Sequence, residues 1–161
     1  MKPMVYVETT VPSFYCSSRS ELLPQVRRTR EWWDSERHEY ECYVSAVVLD
    51  ELSAGDYPSK SACLDLVREL PLLEITEKVI EIAEVYQRER LMPLPPVRDA
   101  LHLALASYYC MDYLLTWNCQ HLANANKFRH LEVLNTRLGL DVPLLVTPDL
   151  LRPVREPEEE Q

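Results

Sequence analysis

Four segments spread over the 161 residues carry side chains suited to holding a divalent cation: Val5-Tyr6-Val7-Glu8-Thr9-Thr10, Ser45-Ala46-Val47-Val48-Leu49-Asp50-Glu51-Leu52, Arg98-Asp99-Ala100-Leu101-His102-Leu103-Ala104 and Leu114-Leu115-Thr116-Trp117-Asn118. A single acidic residue says little, because most carboxylates are solvated on a surface. Oxygen donors from Glu8, Glu51, Asp99 and Asn118, gathered on one rim, would make a cage for a hard cation such as Mg²⁺ or Mn²⁺. An ion of that kind lowers the pKa of water and stabilises charge that develops on a phosphorus centre. Crowded carboxylates without a cation repel, and one of them then takes up a proton. The site is therefore expected to destabilise the chain when fully ionised and metal-free. Added Mg²⁺ or Mn²⁺ is expected to raise the melting temperature.

What must position these residues is an α/β domain, since short apolar runs alternate with helical stretches. Strands are expected at Met4 to Val7, Glu41 to Val44, Leu72 to Ile75, Tyr113 to Thr116 and Val142 to Val146. Helical stretches are expected from Glu21 to Glu39, from Ser45 as N-cap to Leu52, from Ser59 or Ser61 to Leu70, and from Glu77 to Leu91 behind Thr76. Pro93, Pro95 and Pro96 break the chain before a helix from Val97 to Cys110. A last helix runs from about Gln120 to Leu138, with Gly139 as its stop.

Ligands of open α/β sheets bind beyond the carboxyl ends of the strands. Glu8 follows the first strand, Glu51 lies early in the helix leaving the second, Asp99 opens the helix that runs down to the fourth, and Asn118 lies just beyond that strand. Connectivity alone puts all four on one rim. Asp112 precedes the fourth strand and belongs to the opposite rim. Asp50 points about 100° away from Glu51 around its helix, so both cannot face one ion.

Composition narrows the class. With 47% hydrophobic and 27% charged residues, the chain reads as one ordinary globular domain. No apolar stretch is long enough to span a bilayer, and the N-terminal residues show no secretory signal pattern, so a cytoplasmic location is expected. The five cysteines are odd in number, widely spaced and without a C-x-x-C pair, which argues for reduced thiols over a disulfide framework or zinc site. His121 and His130 have no zinc-ligand spacing either. Gly55 and Gly139 are the only glycines, so neither common phosphate-cradling glycine loop can be built. The net charge of −9 disfavours nonspecific duplex binding, although four glutamates and one arginine put −3 of it on the last seven residues. A cation-loaded site still attracts phosphate locally.

The order of these motifs resembles the PIN domain, and in particular the VapC-type toxins of bacterial toxin–antitoxin pairs. Tyr6-Val7-Glu8-Thr9-Thr10, the Ser45 to Leu52 segment, Asp99 to Ala104, Leu115 to Asn118 and the closing Val146-Thr147-Pro148-Asp149-Leu150-Leu151 carry it, over roughly residues 4 to 152. The resemblance implies a three-layer α/β/α fold with a central, mostly parallel sheet of about five strands over residues 1–152, followed by an acidic, disordered tail at 153–161. It also implies a Mg²⁺- or Mn²⁺-dependent endoribonuclease, the toxin of a type II pair, with RNA as substrate and a cognate antitoxin as partner. Glu8 stands where the family's first Asp usually is, Glu51 at its Glu, Asp99 at its next Asp and Asn118 at a fourth acid, with Thr9 and Thr116 beside them. Two positions depart from the pattern. Glu8 is a methylene longer than Asp, and Asn118 removes a charge and cannot act as a base.

Other readings follow from the same residues. A catalytically weak or inactive PIN-like module that binds RNA or a protein is the alternative, and a phosphoryl-transfer enzyme on a similar frame is a third. Arg27, Arg28 and Arg30 beside Trp32 and Trp33 offer a substrate-binding surface, although the commoner use of such a segment is an amphipathic helix whose tryptophans pack inside or against a partner, a homodimer included. His102 shares a helix face with Asp99 and is expected to be buried and paired with a backbone group.

Overall fold

The structure is a computed structural model, which describes residues 1–93 and 97–154. Five strands form one sheet: β1 (Met4–Val7), β2 (Glu41–Ser45), β3 (Leu72–Leu73), β4 (Tyr113–Leu115) and β5 (Leu144–Val146). Their spatial order is β3-β2-β1-β4-β5, and every pairing is parallel. Val5, Tyr6 and Val7 are wholly buried, as a central strand covered on both faces requires.

Seven α-helices connect or flank the strands among the described residues: α1 (Thr10–Tyr15), α2 (Leu23–Glu31), α3 (Ala46–Ser53), α4 (Lys60–Val67), α5 (Glu77–Arg88), α6 (Arg98–Tyr108) and α7 (Ala125–Leu138). The chain steps one way from β1 to β3, then reverses to reach β4 and β5. Right-handed crossovers of opposite direction put helices on both faces of the sheet. The result is three layers.

α6 is buried almost all round, with Ala100, Leu103, Ala104, Leu105 and Ala106 letting it pack closely. Tyr86 on α5 donates to Asn135 Oδ1 on α7 at 2.5 Å, and Asn135 Nδ2 donates to Ser107 Oγ on α6 at 3.0 Å. These buried polar groups satisfy one another and hold three helices in register.

The boundaries shift where local chemistry competes. Thr76 caps α5 by accepting from the Val79 N–H at 3.3 Å, and Gly139 ends α7 at φ +70°. α7 begins only at Ala125, because Asn124 caps it by accepting from the Asn126 N–H at 3.1 Å. α1 was not anticipated. Ser45 holds the N-cap position of α3, yet its hydroxyl lies 2.8 Å from the Tyr6 hydroxyl and does not cap the helix. The expected breaks at Pro95 and Pro96 lie outside the described residues, as does most of the acidic tail. Among the described residues no helix is long and apolar enough to cross a membrane.

Burial decides how two of these features are used. Trp32 and Trp33 pack inside, at 0% and 5% exposure, so they are not the surface a homodimer would use. Arg28 is no substrate-binding residue. It is 6% exposed and grips Glu36 with both ends of its guanidinium, one contact at 2.9 Å. It also donates to the Pro148 carbonyl at 2.7 Å and the Leu151 carbonyl at 3.1 Å. A π turn over Trp32–Glu36 delivers the glutamate to it. Arg27 is exposed, and Arg30, also exposed, donates to the carbonyls of Tyr15 and Ser17.

Removing one member of a buried pair strands the other charge. Arg28→Ala is therefore expected to cost about 3–5 kcal/mol in urea unfolding. Arg27→Ala, on the open surface, is expected to stay within about 0.5 kcal/mol of the parent. Equal effects of the two would contradict the burial of Arg28.

Candidate functional site

The chain leaves β1 toward β2 on one side and returns to β4 on the other. Such a reversal opens a crevice beyond the carboxyl ends of the two strands. Glu8 sits at its floor and extends the ladder by donating its N–H to the Leu115 carbonyl at 3.0 Å. Its side chain is only 3% exposed. Oε2 accepts from the hydroxyls of Thr10 and Thr116, the latter at 2.8 Å, and from the Thr10 N–H at 3.0 Å. Each threonine hydroxyl also accepts from the rim of β4, Thr10 from the Trp117 N–H at 2.8 Å and Thr116 from the Asn118 N–H at 2.9 Å. Oε1 receives no hydrogen bond among the described residues. Burial pushes the Glu8 carboxyl above its usual range, against the opposing hydrogen bonds from Thr10 and Thr116.

Glu51 reaches the rim from α3 and is half-buried. Its Oε1 accepts from the Thr9 hydroxyl at 3.0 Å and is bonded to His102 Nε2. His102, on α6, is fully buried, and its Nδ1 lies 2.6 Å from the Tyr6 hydroxyl. One assignment satisfies every group with a neutral imidazole. Ser45 donates to Tyr6, Tyr6 donates to Nδ1, and Nε2–H donates to Glu51. Burial raises the Glu51 carboxyl, but His102, Thr9 and Arg98 together outweigh it and hold the group below its usual range. Burial moves the Tyr6 hydroxyl strongly upward, which keeps it a donor.

Asp99 stands in the first turn of α6, where the helix dipole favours a negative charge. Asn118 Nδ2 donates to Asp99 Oδ2 at 3.4 Å. The Asn118 carbonyl, expected to face an ion, accepts from the His121 N–H at 3.0 Å. Asn118 thus orients Asp99 and closes the turn after β4. The two acids set aside are elsewhere: Asp50 is exposed, and Asp112 accepts from the Met4 N–H at 2.8 Å on the opposite rim.

Among the described residues, no three His, Cys, Asp or Glu side chains lie close enough together to grip an ion as they stand. The donor set nevertheless fits a hard cation. Glu8 Oε1, Glu51 Oε2 and Asp99 Oδ1 each receive no hydrogen bond among the described residues, while the sister oxygens are held. Mg²⁺ takes one or two such carboxylates and keeps several waters.

Side chains that the sequence reading passed over complete the site. His102 pairs with Tyr6 and Glu51, not with a backbone group. Tyr6 carries the one hydroxyl in an otherwise apolar central strand, and that was the available signal. Phe14 and Trp117 stack beside Thr10 and Asn118, with ring centroids 5.5 Å apart and planes 12° from parallel.

Because the folded chain holds Glu8's proton more tightly than the unfolded chain, this carboxyl stabilises the fold below its unfolded pKa. It withdraws that stability as pH rises through its folded value. Glu8→Gln keeps an oxygen for the three donors, so it is expected to melt above wild type at alkaline pH, with the gap closing in the acid range. A variant that melts lower throughout would mean the negative charge is itself needed by the fold.

No family model and no curated protein matches the chain. A chain in the crystal structure of VapBC2 from Rickettsia felis bound to a DNA fragment from their promoter is similar to it in structure, with a TM-score of 0.52 at 14% identity. The likeness covers 89% of this chain and 98% of that one. At such identity it establishes the fold alone, and that fold is the three-layer α/β/α arrangement of a PIN-like domain with an all-parallel five-stranded sheet.

Proposed function

We propose that this protein is a metal-dependent endoribonuclease that hydrolyses RNA phosphodiester bonds as the toxin of a type II toxin–antitoxin pair. The observation that carries the reading is Glu8, a carboxylate buried at the switch point of a PIN-like sheet with one oxygen unbonded. Glu51 and Asp99 present unbonded oxygens at the same rim. The likeness to a chain of VapBC2 and the motif order shared with VapC-type toxins support both the activity and an antitoxin partner.

Glu8, Glu51 and Asp99 would hold Mg²⁺ or Mn²⁺, and Asn118 would orient Asp99. A bound cation would supply Lewis-acid stabilisation of charge on the scissile phosphate. The protein's own residues do the rest. Thr10 and Thr116 fix one oxygen of Glu8 so that the other is presented outward. Thr9 and His102 do the same for Glu51. Asn118 cannot take a proton, so the proton lost by an attacking water falls to one of the carboxylates.

A second reading, a catalytically weak module that binds RNA or a protein, is favoured by two contacts. His102 already occupies Glu51 Oε1, and His121 already occupies the Asn118 carbonyl. Cleavage of a mixed panel of structured RNAs with Mg²⁺ or Mn²⁺ separates the readings. Wild type is expected to make cuts that chelator abolishes. Asp99→Asn is expected to lose more than the roughly 10–100-fold typical of residues that merely support a metal ligand. No cutting by either protein, together with no heat of Mn²⁺ binding in calorimetry, would establish the non-catalytic module.

The same ion is expected to raise the melting temperature of wild type and to leave Asp99→Asn nearly unmoved. Equal shifts in both proteins would place the ion elsewhere.

A further inference from the structure

An open groove of about 590 Å³ runs between the end of α5 and the start of α7. Its floor is Leu91 and Met92, and its walls carry Arg88, Arg90, Lys127 and His121. No carboxylate lines it among the described residues. In a chain of net charge −9 this is an unusual concentration of cations. Arg88 and Arg90 are exposed and make no ion pair among the described residues.

The groove opens directly onto the acidic rim. His121 donates its N–H to Asn118, whose amide holds Asp99. Lys127 bridges the two walls by donating to the Leu91 carbonyl at 3.0 Å. Burial draws its ammonium below the usual range while Asp99 favours the charged form, which places the lysine within that carboxylate's field.

Arg90 supplies an independent sign. It has φ +58°, in the left-handed region. Its N–H bonds the Gln87 carbonyl at 3.1 Å, and the Leu91 N–H bonds the Tyr86 carbonyl at 2.9 Å. That pattern is a Schellman cap, whose left-handed position is normally glycine because a side chain there is strained. An arginine stands in the place where the fold alone would favour glycine, and its guanidinium lines the groove with no ion pair among the described residues.

We propose that this groove binds the phosphates of a single RNA strand on its way to or from the acidic rim. The proposal rests on the nuclease reading for its choice of RNA. A positively charged groove that tracks the backbone is how single strands are held without sequence preference.

The test is fluorescence anisotropy with a labelled single-stranded RNA of about twelve nucleotides, in chelator so that binding is read without cutting. Arg90→Gly relieves the strained cap and is expected to melt no lower than wild type. Its affinity is nevertheless expected to fall about fivefold near 0.1 M salt, with the salt slope reduced by about 0.7, the value for one phosphate contact on a single strand. Arg88→Ser combined with Arg90→Gly is expected to double the loss of slope. Unchanged affinity and slope in the double variant would overturn the groove, as would no binding by wild type. Displacement of the RNA by inorganic phosphate at comparable concentration would overturn it too, by making the groove a free-phosphate site. Wild type that binds with the expected slope but cuts with no metal would leave the groove standing and remove the nuclease. Variants that bind and cut like an active wild type would do the reverse.

Discussion

A carboxylate cut off from water must find donors or give up its charge. Glu8 meets that condition at the end of the central strand, and much of the molecule is arranged around the answer. The two threonines that hold it are tied in turn to the backbone leaving β4. β1 and β4 are thereby joined beyond the last rung of their ladder, at the point where the sheet reverses direction. Glu8 Oε2 is held by these donors, whereas its Oε1 receives no hydrogen bond among the described residues.

Glu8 and Glu51 share a rim but differ in proton affinity. Burial dominates the first and lifts it, whereas around the second His102, Thr9 and Arg98 together outweigh burial and lower it. Pairs of acids pushed apart in this way are how one site separates a proton holder from a permanent anion. The Ser45–Tyr6–His102 line behind Glu51 is wholly internal, so the orientation of that carboxylate is set by the core and not by solvent.

How much of this was legible in the sequence depends on the range of the interactions. Strand order within each βα unit is local, so connectivity sufficed to place Glu8, Glu51, Asp99 and Asn118 on one rim and Asp112 on the other. The contacts between those residues depend on how three elements meet. Nothing near His102 in sequence announces Glu51, which lies on another helix. Arg28 reads as surface because its neighbours Arg27 and Arg30 are charged, and its burial follows from a π turn that returns Glu36 to it. Asn118 read as a shortened acid, but the turn after β4 takes its carbonyl and leaves only its amide for Asp99.

The grip of Arg28 on the carbonyls of Pro148 and Leu151 spans 120 and 123 positions of the chain. While the polypeptide is still emerging from the ribosome, that guanidinium has Glu36 but no C-terminal partner, and β4 has no β5 along its outer edge. Closure of these contacts must wait for residues 148–151 to leave the exit tunnel. Pairings as distant as β1 with β4 also make closure slow compared with folds built from neighbours. Emergence of the Pro148–Leu151 segment, not the synthesis of any one earlier motif, is therefore the moment at which Arg28 can complete its contacts.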